Sequence, residues 1–268
     1  MRNNVDVRKV LIRLGVTLAV VLVAAVVVDF GTTVFAEYRF ARSVRAAARL
    51  NWDPSVAILG FPFIPQAIRR HYSEVEIKAN DVAHPLVGKA SMEATMHSID
   101  LTDSSWLIAP DAKLPVGRLE SRIIVDSAHL GRFMGINDLM VEAPSRDIND
   151  AVGVTTESGI SDSHGLVFTG TPKAADFDKR VSVSVDLSMS GTTLVLTPTA
   201  VLTGPGTAEQ EVPDDKKQAV LDAFRSALPD QKLPFGVAPT SQGARGSDVI
   251  IEGITDGVNI TLDAFRQS

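Results

Sequence analysis

An α+β fold preceded by an apolar N-terminal helix is predicted by three observations on this 268-residue chain. An uncharged run extends from Leu14 to Val28, period-two alternation recurs after Asn51, and one longer amphipathic helical stretch begins near Asp214. The alternation is clearest from Arg180 to Ser190. There Val181, Val183, Val185, Leu187 and Met189 share one face and polar residues share the other, as in a half-buried antiparallel strand.

At the N-terminus, Arg2, Arg8, Lys9 and Arg13 precede the apolar run, and the next charge is Asp29. Basic residues before an apolar stretch mark an export or membrane segment whose following residues lie outside the cytoplasm. Two fates are open. Val34 and Ala36 are small enough for a signal peptidase to cut after Ala36, whereas continuation through Phe30 to Ala36 gives the roughly 20 residues that a spanning helix needs. The arginines beyond the run, Arg39 to Arg49, give weaker support to the opposite orientation.

Glu37 to Leu50 projects as an amphipathic helix. At about 100° per residue, Arg39, Arg42, Arg45 and Arg49 fall near 0, 300, 240 and 280°, opposite Phe40, Val44, Ala47 and Ala48. Either the arginines lie on anionic headgroups, or the apolar face docks on the domain and the arginines are solvated.

Strands are then expected at Ser55 to Leu59, around Val75 to Ala79, Ala90 to Met96, Leu119 to Val125 and Gly165 to Gly170. A hairpin joins the Val181 strand to Thr192 to Leu202, with Pro198 marking an edge or bulge. Further strands are expected at Ser247 to Thr255 and Val258 to Leu262. Short helices are expected near Ser104 and after Asp126, and a longer one from Asp214 to Leu228 with Ala219, Val220, Ala223, Phe224, Ala227 and Leu228 buried. Ala143 to Ser163 is a polar loop. Phe61, Pro62, Phe63 and Leu233, Pro234, Phe235 each precede a strand, a weak internal echo.

The apolar share of 45% supports a buried core, and aromatics at 6% leave that core aliphatic. A net charge of -6 argues against nucleic acid as partner. The lack of cysteine removes thiolate chemistry, disulfides and cysteine-ligated metals. No nucleophile elbow, P-loop, dinucleotide fingerprint or H-E-x-x-H occurs. The histidines His71, His84, His97, His129 and His164 never pair at ligand spacing. Asp162, Ser163 and His164 are consecutive and so point apart. Asp176 and Asp178 form a D-x-D without the strand-helix alternation of a sugar-nucleotide transferase. No catalytic residue, metal site or cofactor is expected.

One constellation points to lipid. The strand from Val56 ends in Gly60, Phe61, Pro62 and Phe63, followed by Arg69, Arg70 and His71. Aromatic and proline residues beside cations suit the boundary between acyl chains and phosphates; the alternative is a turn tucked into the core with the basic residues pointing outward.

The export segment, the V-x-I-x-G-F-P-F motif at Val56 to Phe63 and the S-x-V-x-I strand at Ser73 to Ile77 resemble the LmeA-like phospholipid-binding proteins. The resemblance runs over most of the chain after Glu37. It implies long antiparallel strands curving around a helix with an apolar groove, similar to tubular lipid binders of the bactericidal/permeability-increasing type. On that reading residues 1–36 are a signal peptide or membrane anchor and residues 37–268 a single lipid-binding domain. It also implies a non-enzymatic, exported protein of the actinobacterial envelope, on the periplasmic side of the cytoplasmic membrane. Its partners would be phospholipid of the phosphatidylinositol class, the membrane and mannosyltransferases, and its role the maturation of lipomannan and lipoarabinomannan. The expected lipid contacts are Phe61, Phe63, Arg69, Arg70, Val183, Val185 and Leu187, with Arg39, Arg42, Arg45 and Arg49 at the membrane surface. An enzyme on lipid-linked sugars and a structural envelope adaptor are the alternatives.

Overall fold

The computed structural model describes residues 3–102, 105–143, 160–173 and 177–266, with side chains from residue 9 onward. Helix α1 (Asn3–Ala48) is a single 46-residue helix, about 69 Å long at about 1.5 Å per residue. It passes the expected boundary at residue 36 unbroken. No proline interrupts it, and the hydroxyls of Thr32 and Thr33 donate back to the carbonyls of Val28 and Asp29 at 2.7 and 2.8 Å.

After α1 the chain forms strand β1 (Ser55–Leu59), helix α2 (Phe63–Arg69), strands β2 (His71–His84), β3 (Gly88–Asp100) and β4 (Lys113–Asp126), then helix α3 (Ser127–Met134). Strands β5 (Met140–Glu142), β6 (Leu166–Gly170), β7 (Val181–Ser190) and β8 (Thr193–Leu202) lead to helix α4 (Asp214–Phe224). The short β9 (Ser226–Leu228) and the strands β10 (Ser241–Arg245) and β11 (Asp248–Thr261) complete the fold. Six strands form one antiparallel sheet in the order β1-β2-β3-β4-β11-β10, and five form a second in the order β5-β6-β7-β8-β9. The architecture is α+β, as the alternation predicts.

Among the described residues neither sheet closes into a barrel. One continuous apolar cluster joins the two sheets and the C-terminal half of α1. Its large members include Phe40 of α1, Tyr72 and Ile77 of β2, Met92 and Met96 of β3, and Phe168 of β6.

Three further differences have local causes. The Asp214 helix stops at Phe224, because Ser226–Leu228 pairs with Leu194–Leu196 and Pro229 disfavours helix at the residue before it. Ala227 is consequently exposed. Ser247 to Thr255 and Val258 to Leu262 are one strand, with Gly257 absorbing a φ of 65° at the expected break. The polar segment Ser241–Arg245 is an edge strand that no hydrophobic pattern announces. The short helix after Asp126 is present as α3, capped where the Asp126 carboxylate accepts the amide of His129 at 2.7 Å. The pairing of β7 with β8 shifts register between Ser184 and Val185, opposite Pro198, where a bulge is expected. No helix is present at 101–102 or 105–112, where one near Ser104 is expected; residues 103–104 and residues 144–159 of the polar loop lie outside the described residues.

Candidate functional site

The residues of the G-F-P-F motif divide sharply. Gly60 takes a φ of 100°, which turns the chain out of β1. Phe63 then points inward and is only 1% exposed. Its ring stacks on Tyr72 at 5.8 Å and meets the edge of Trp106 at 6.4 Å. The Tyr72 hydroxyl donates to the Trp106 carbonyl at 2.5 Å, and burial raises its pKa to about 12. Phe61 points the other way, is 66% exposed, and lies 6.1 Å from the ring of Phe30 on α1. The motif therefore anchors helix α2 with one aromatic and presents the other.

Helix α2 is held against α1 by a charge inside the apolar segment. The Asp29 carboxylate, buried against the domain, accepts the amides of Phe63 and Ile64 at 2.9 and 2.8 Å. These are N-terminal amides of α2, which its own N-cap, Pro62, cannot satisfy through a side chain. Farther along α1, the Glu37 carboxylate accepts the amide of Ile58 at 2.8 Å, and the Ser43 hydroxyl donates to the Ile108 carbonyl at 2.8 Å. Ala36, Phe40, Val44 and Ala48 continue the same stripe into the core. Toward the N-terminus no such contact is present among the described residues: Val10, Leu14, Leu18, Leu22 and Val26 are all exposed. The segment from Lys9 onward is long and apolar enough to cross a membrane.

The four arginines of the basic stripe, Arg39, Arg42, Arg45 and Arg49, are all exposed. Arg42 donates to the Tyr38 hydroxyl at 3.0 Å and Arg45 pairs with Asp53 at 3.3 Å. Of the two arrangements open from sequence, the docked one is present, with Phe40, Val44 and Ala48 turned into the domain. Arg69 and Arg70 close α2 and are both exposed. Arg70 takes a left-handed φ of 54° and donates to the Thr102 carbonyl at 3.1 Å.

Val183, Val185 and Leu187 are no more than 1% exposed and line none of the larger cavities described below. They belong to the apolar cluster that both sheets share. Phe177 is buried and Asp178 exposed, while Asp176 lies outside the described residues. His164 sits 3.5 Å from Asp186, and Ser163 uses its carbonyl to accept the amide of Leu187. No group of three or more His, Asp or Glu gathers at metal-ligand distances among the described residues.

Two cavities share the wall residue Arg266, one of them at the C-terminal end of α1. One, of about 680 Å³, is walled by Leu233, Phe235, Val237, Pro239 and Ala264 and is largely apolar. The other, of about 630 Å³, is lined by Arg49, Trp52, Lys78 and Val82 among others. Arg266 lines both. Both linings are mixed, with Asp53 and Asp81 beside the cations of the second and Lys232 and Asp263 in the first, and together they offer apolar wall and cations to a molecule carrying acyl chain and phosphate. A third cavity, of about 900 Å³, lies between Leu107 and Asn259 and is more polar.

A family model described as LmeA-like phospholipid-binding matches residues 27–254. The chain belongs to that family. Membership supports phospholipid binding, and suggests a binding protein rather than an enzyme. The LmeA-like match begins two residues before Asp29, so it takes in the stretch of α1 that caps α2 and enters the core. Arg49, Lys78 and Phe235 fall within it, and Arg266 lies beyond its end. No curated protein and no solved structure matches the chain at a significant level.

Sequence reasoning missed Asp29, Glu37, Ile68 and Arg266. A lone acid in an apolar run is the only signal that Asp29 gives. Glu37 meets the Ile58 amide 21 residues on, Arg266 lines cavities whose other walls lie far from it in the chain, and Ile68 is exposed with no pattern to mark it.

Proposed function

We propose that this chain is an exported, membrane-anchored phospholipid-binding protein that supports mannan chain elongation in lipomannan and lipoarabinomannan. In this reading α1 stays attached, residues after Glu37 lie on the periplasmic side, and the protein assists mannosyltransferases without catalysing transfer. The observation that carries the reading is the family match, which starts inside the apolar helix and covers both sheets. The basic cluster before Leu14 supports the orientation.

In this reading the phospholipid occupies the two cavities that share Arg266, with its chain against Phe235, Leu233 and Val237 and its phosphate near Arg266, Arg49 and Lys78, residues that line them. The acyl chain dominates affinity. Burying ten methylenes at about 0.8 kcal/mol each gives roughly 8 kcal/mol before ordering costs, whereas one exposed ion pair gives about 0 to 1 kcal/mol. A headgroup of the phosphatidylinositol class supplies a phosphate for the cations and hydroxyls for the polar wall of Asp53 and Asn80.

Native mass spectrometry of the full chain released from detergent tests this. Copurified phospholipid, enriched in phosphatidylinositol and reduced in a Phe235→Asp or Arg266→Ala variant, is the expected result. Turnover of a lipid-linked mannosyl donor by the protein alone would replace the reading with an enzymatic one.

A further inference from the structure

We infer that Phe61 and Ile68 form a shallow wedge that inserts into the outer leaflet beside α1, seating the domain on the bilayer at a fixed depth. The inference rests on the membrane-anchored reading and adds a second surface to it.

The two side chains are among the most exposed apolar groups outside the membrane-type run, at 66% and 76%. Both belong to the short segment that Asp29 fastens to α1. Ile68 lies one helical turn beyond Ile64, whose amide Asp29 accepts. Phe61 touches Phe30, which is itself 60% exposed and continues the apolar surface of Val26 and Val27. The exposed apolar surface of α1 thus runs onto the turn that opens α2 without a polar gap at this contact.

Depth follows from helix geometry. From Arg13 to Phe30 is about 26 Å at about 1.5 Å per residue, and the hydrocarbon is about 30 Å thick. With Arg13 at the inner boundary, Phe30 and the Phe61 ring beside it arrive within a few ångströms of the outer one. Arg69 follows Ile68 and is exposed, placed to reach phosphates while the aromatic and aliphatic groups lie below them. The same arithmetic puts Arg45 about 18 Å and Arg49 about 24 Å beyond that boundary, so the basic stripe along α1 does not lie flat on the headgroups. Asp29, at the same level, is spared contact with lipid because its carboxylate is buried against the α2 amides.

The chain has no cysteine, so single labels can be placed without background. Full-length Phe61→Cys, Ile68→Cys and, as a water-exposed control, Ser247→Cys are labelled with a nitroxide. They are then reconstituted in vesicles of phosphatidylcholine and phosphatidylglycerol. Collision with oxygen and with a water-soluble nickel chelate is measured by electron paramagnetic resonance. Labels at 61 and 68 are expected to meet oxygen severalfold more, and nickel severalfold less, than the label at 247. Nickel accessibility at 61 and 68 equal to that at 247 would overturn the wedge. Copurified phospholipid in the same preparations separates the two readings. Lipid bound with both labels in water removes the wedge alone, and labels in the leaflet with no bound lipid remove the lipid-binding reading alone.

Discussion

The carboxylate of Asp29 accepts the backbone amide of Phe63 at 2.9 Å across 34 residues of chain. It ties the one acid in the apolar half of α1 to the first residue of α2. A side chain that caps a helix in this way satisfies donors that would otherwise be buried unpaired.

Asp29→Ala is expected to lower stability by about 1 to 3 kcal/mol, the range for losing a helix cap and leaving buried amides unsatisfied. Hydrogen exchange should quicken at Phe63 and Ile64 well before it changes in β4 or β11. Asp29→Asn keeps one acceptor oxygen and should recover part of the loss. Unchanged exchange at the two amides in Asp29→Ala would show that the contact contributes nothing.

Cleavage after Ala36 would discard Asp29 and Ala36 and leave α2 uncapped. The mature protein from envelope fractions is therefore expected to retain residues 1–36, read directly as its intact mass. A chain begun at residue 28 should fold with a higher unfolding midpoint than one begun at residue 37. Equal midpoints, or an envelope protein starting at Glu37, would show that α1 is a leader after all.

How far the sequence reveals this arrangement depends on whether the signal is local. Strand β1 and the inward face of β7 are legible because alternation reports burial on one side of a sheet. The stripe of Phe40, Val44 and Ala48 is legible for the same reason at helical period. Two features override the pattern. Ser182 lies on the polar face of β7 yet is fully buried, because the amide of Ala208 donates to its hydroxyl at 2.9 Å from a segment laid across that face. Helix α2 carries only one buried residue, Phe63, and owes its position to Asp29, so no periodicity within its seven residues announces it. The lipid groove expected from Val183, Val185 and Leu187 is illegible in a different sense. Alternation shows that these residues face inward, and cannot show whether what they face is empty or filled.

The outer face of the larger sheet carries a charge cluster whose loss should be costly. Arg122, on β4, donates to Glu252 at 2.5 Å and to Glu120 at 2.8 Å. Glu252 is 1% exposed, and Ser241 of β10 donates to its other oxygen at 3.3 Å. Arg122→Ala leaves that carboxylate buried without its guanidinium and is expected to cost about 3 to 5 kcal/mol in urea unfolding. Replacing Arg122 and Glu252 together by methionine should cost much less than the single change. A double variant as unstable as Arg122→Ala would place the effect in packing, outside the ion pair.

His84 makes stability depend on pH, and its surroundings fix the sign. The ring is 3% exposed and its Nδ1 accepts the amides of Leu86 and Val87 at 3.2 and 3.3 Å. Nε2 lies 3.3 Å from Oε1 of Gln231, whose own amide nitrogen donates to the Pro229 carbonyl at 2.9 Å, so Nε2 is the donor and the ring is neutral. A proton added at Nδ1 would point at two amide donors. Burial accordingly lowers the pKa from its ordinary 6.5, against the smaller raising effect of the Gln231 bond. The unfolded chain then binds the proton more readily than the native one. The stabilisation from this site is complete above about pH 6.5 and falls away as pH drops from there toward the depressed native value. The contact joins the end of β2 to the loop after β9, and Gln231 in turn donates its amide to Thr192 at the β7–β8 turn. Protonation should therefore loosen the junction between the two sheets first. Unfolding midpoints measured between about pH 7.5 and 5.5 should decline in the native protein and decline less in His84→Asn, with amide exchange at Leu86, Val87 and Gln231 rising at the acid end only in the native protein. An equal decline in both proteins would assign the pH dependence to the carboxylates and remove His84 from it.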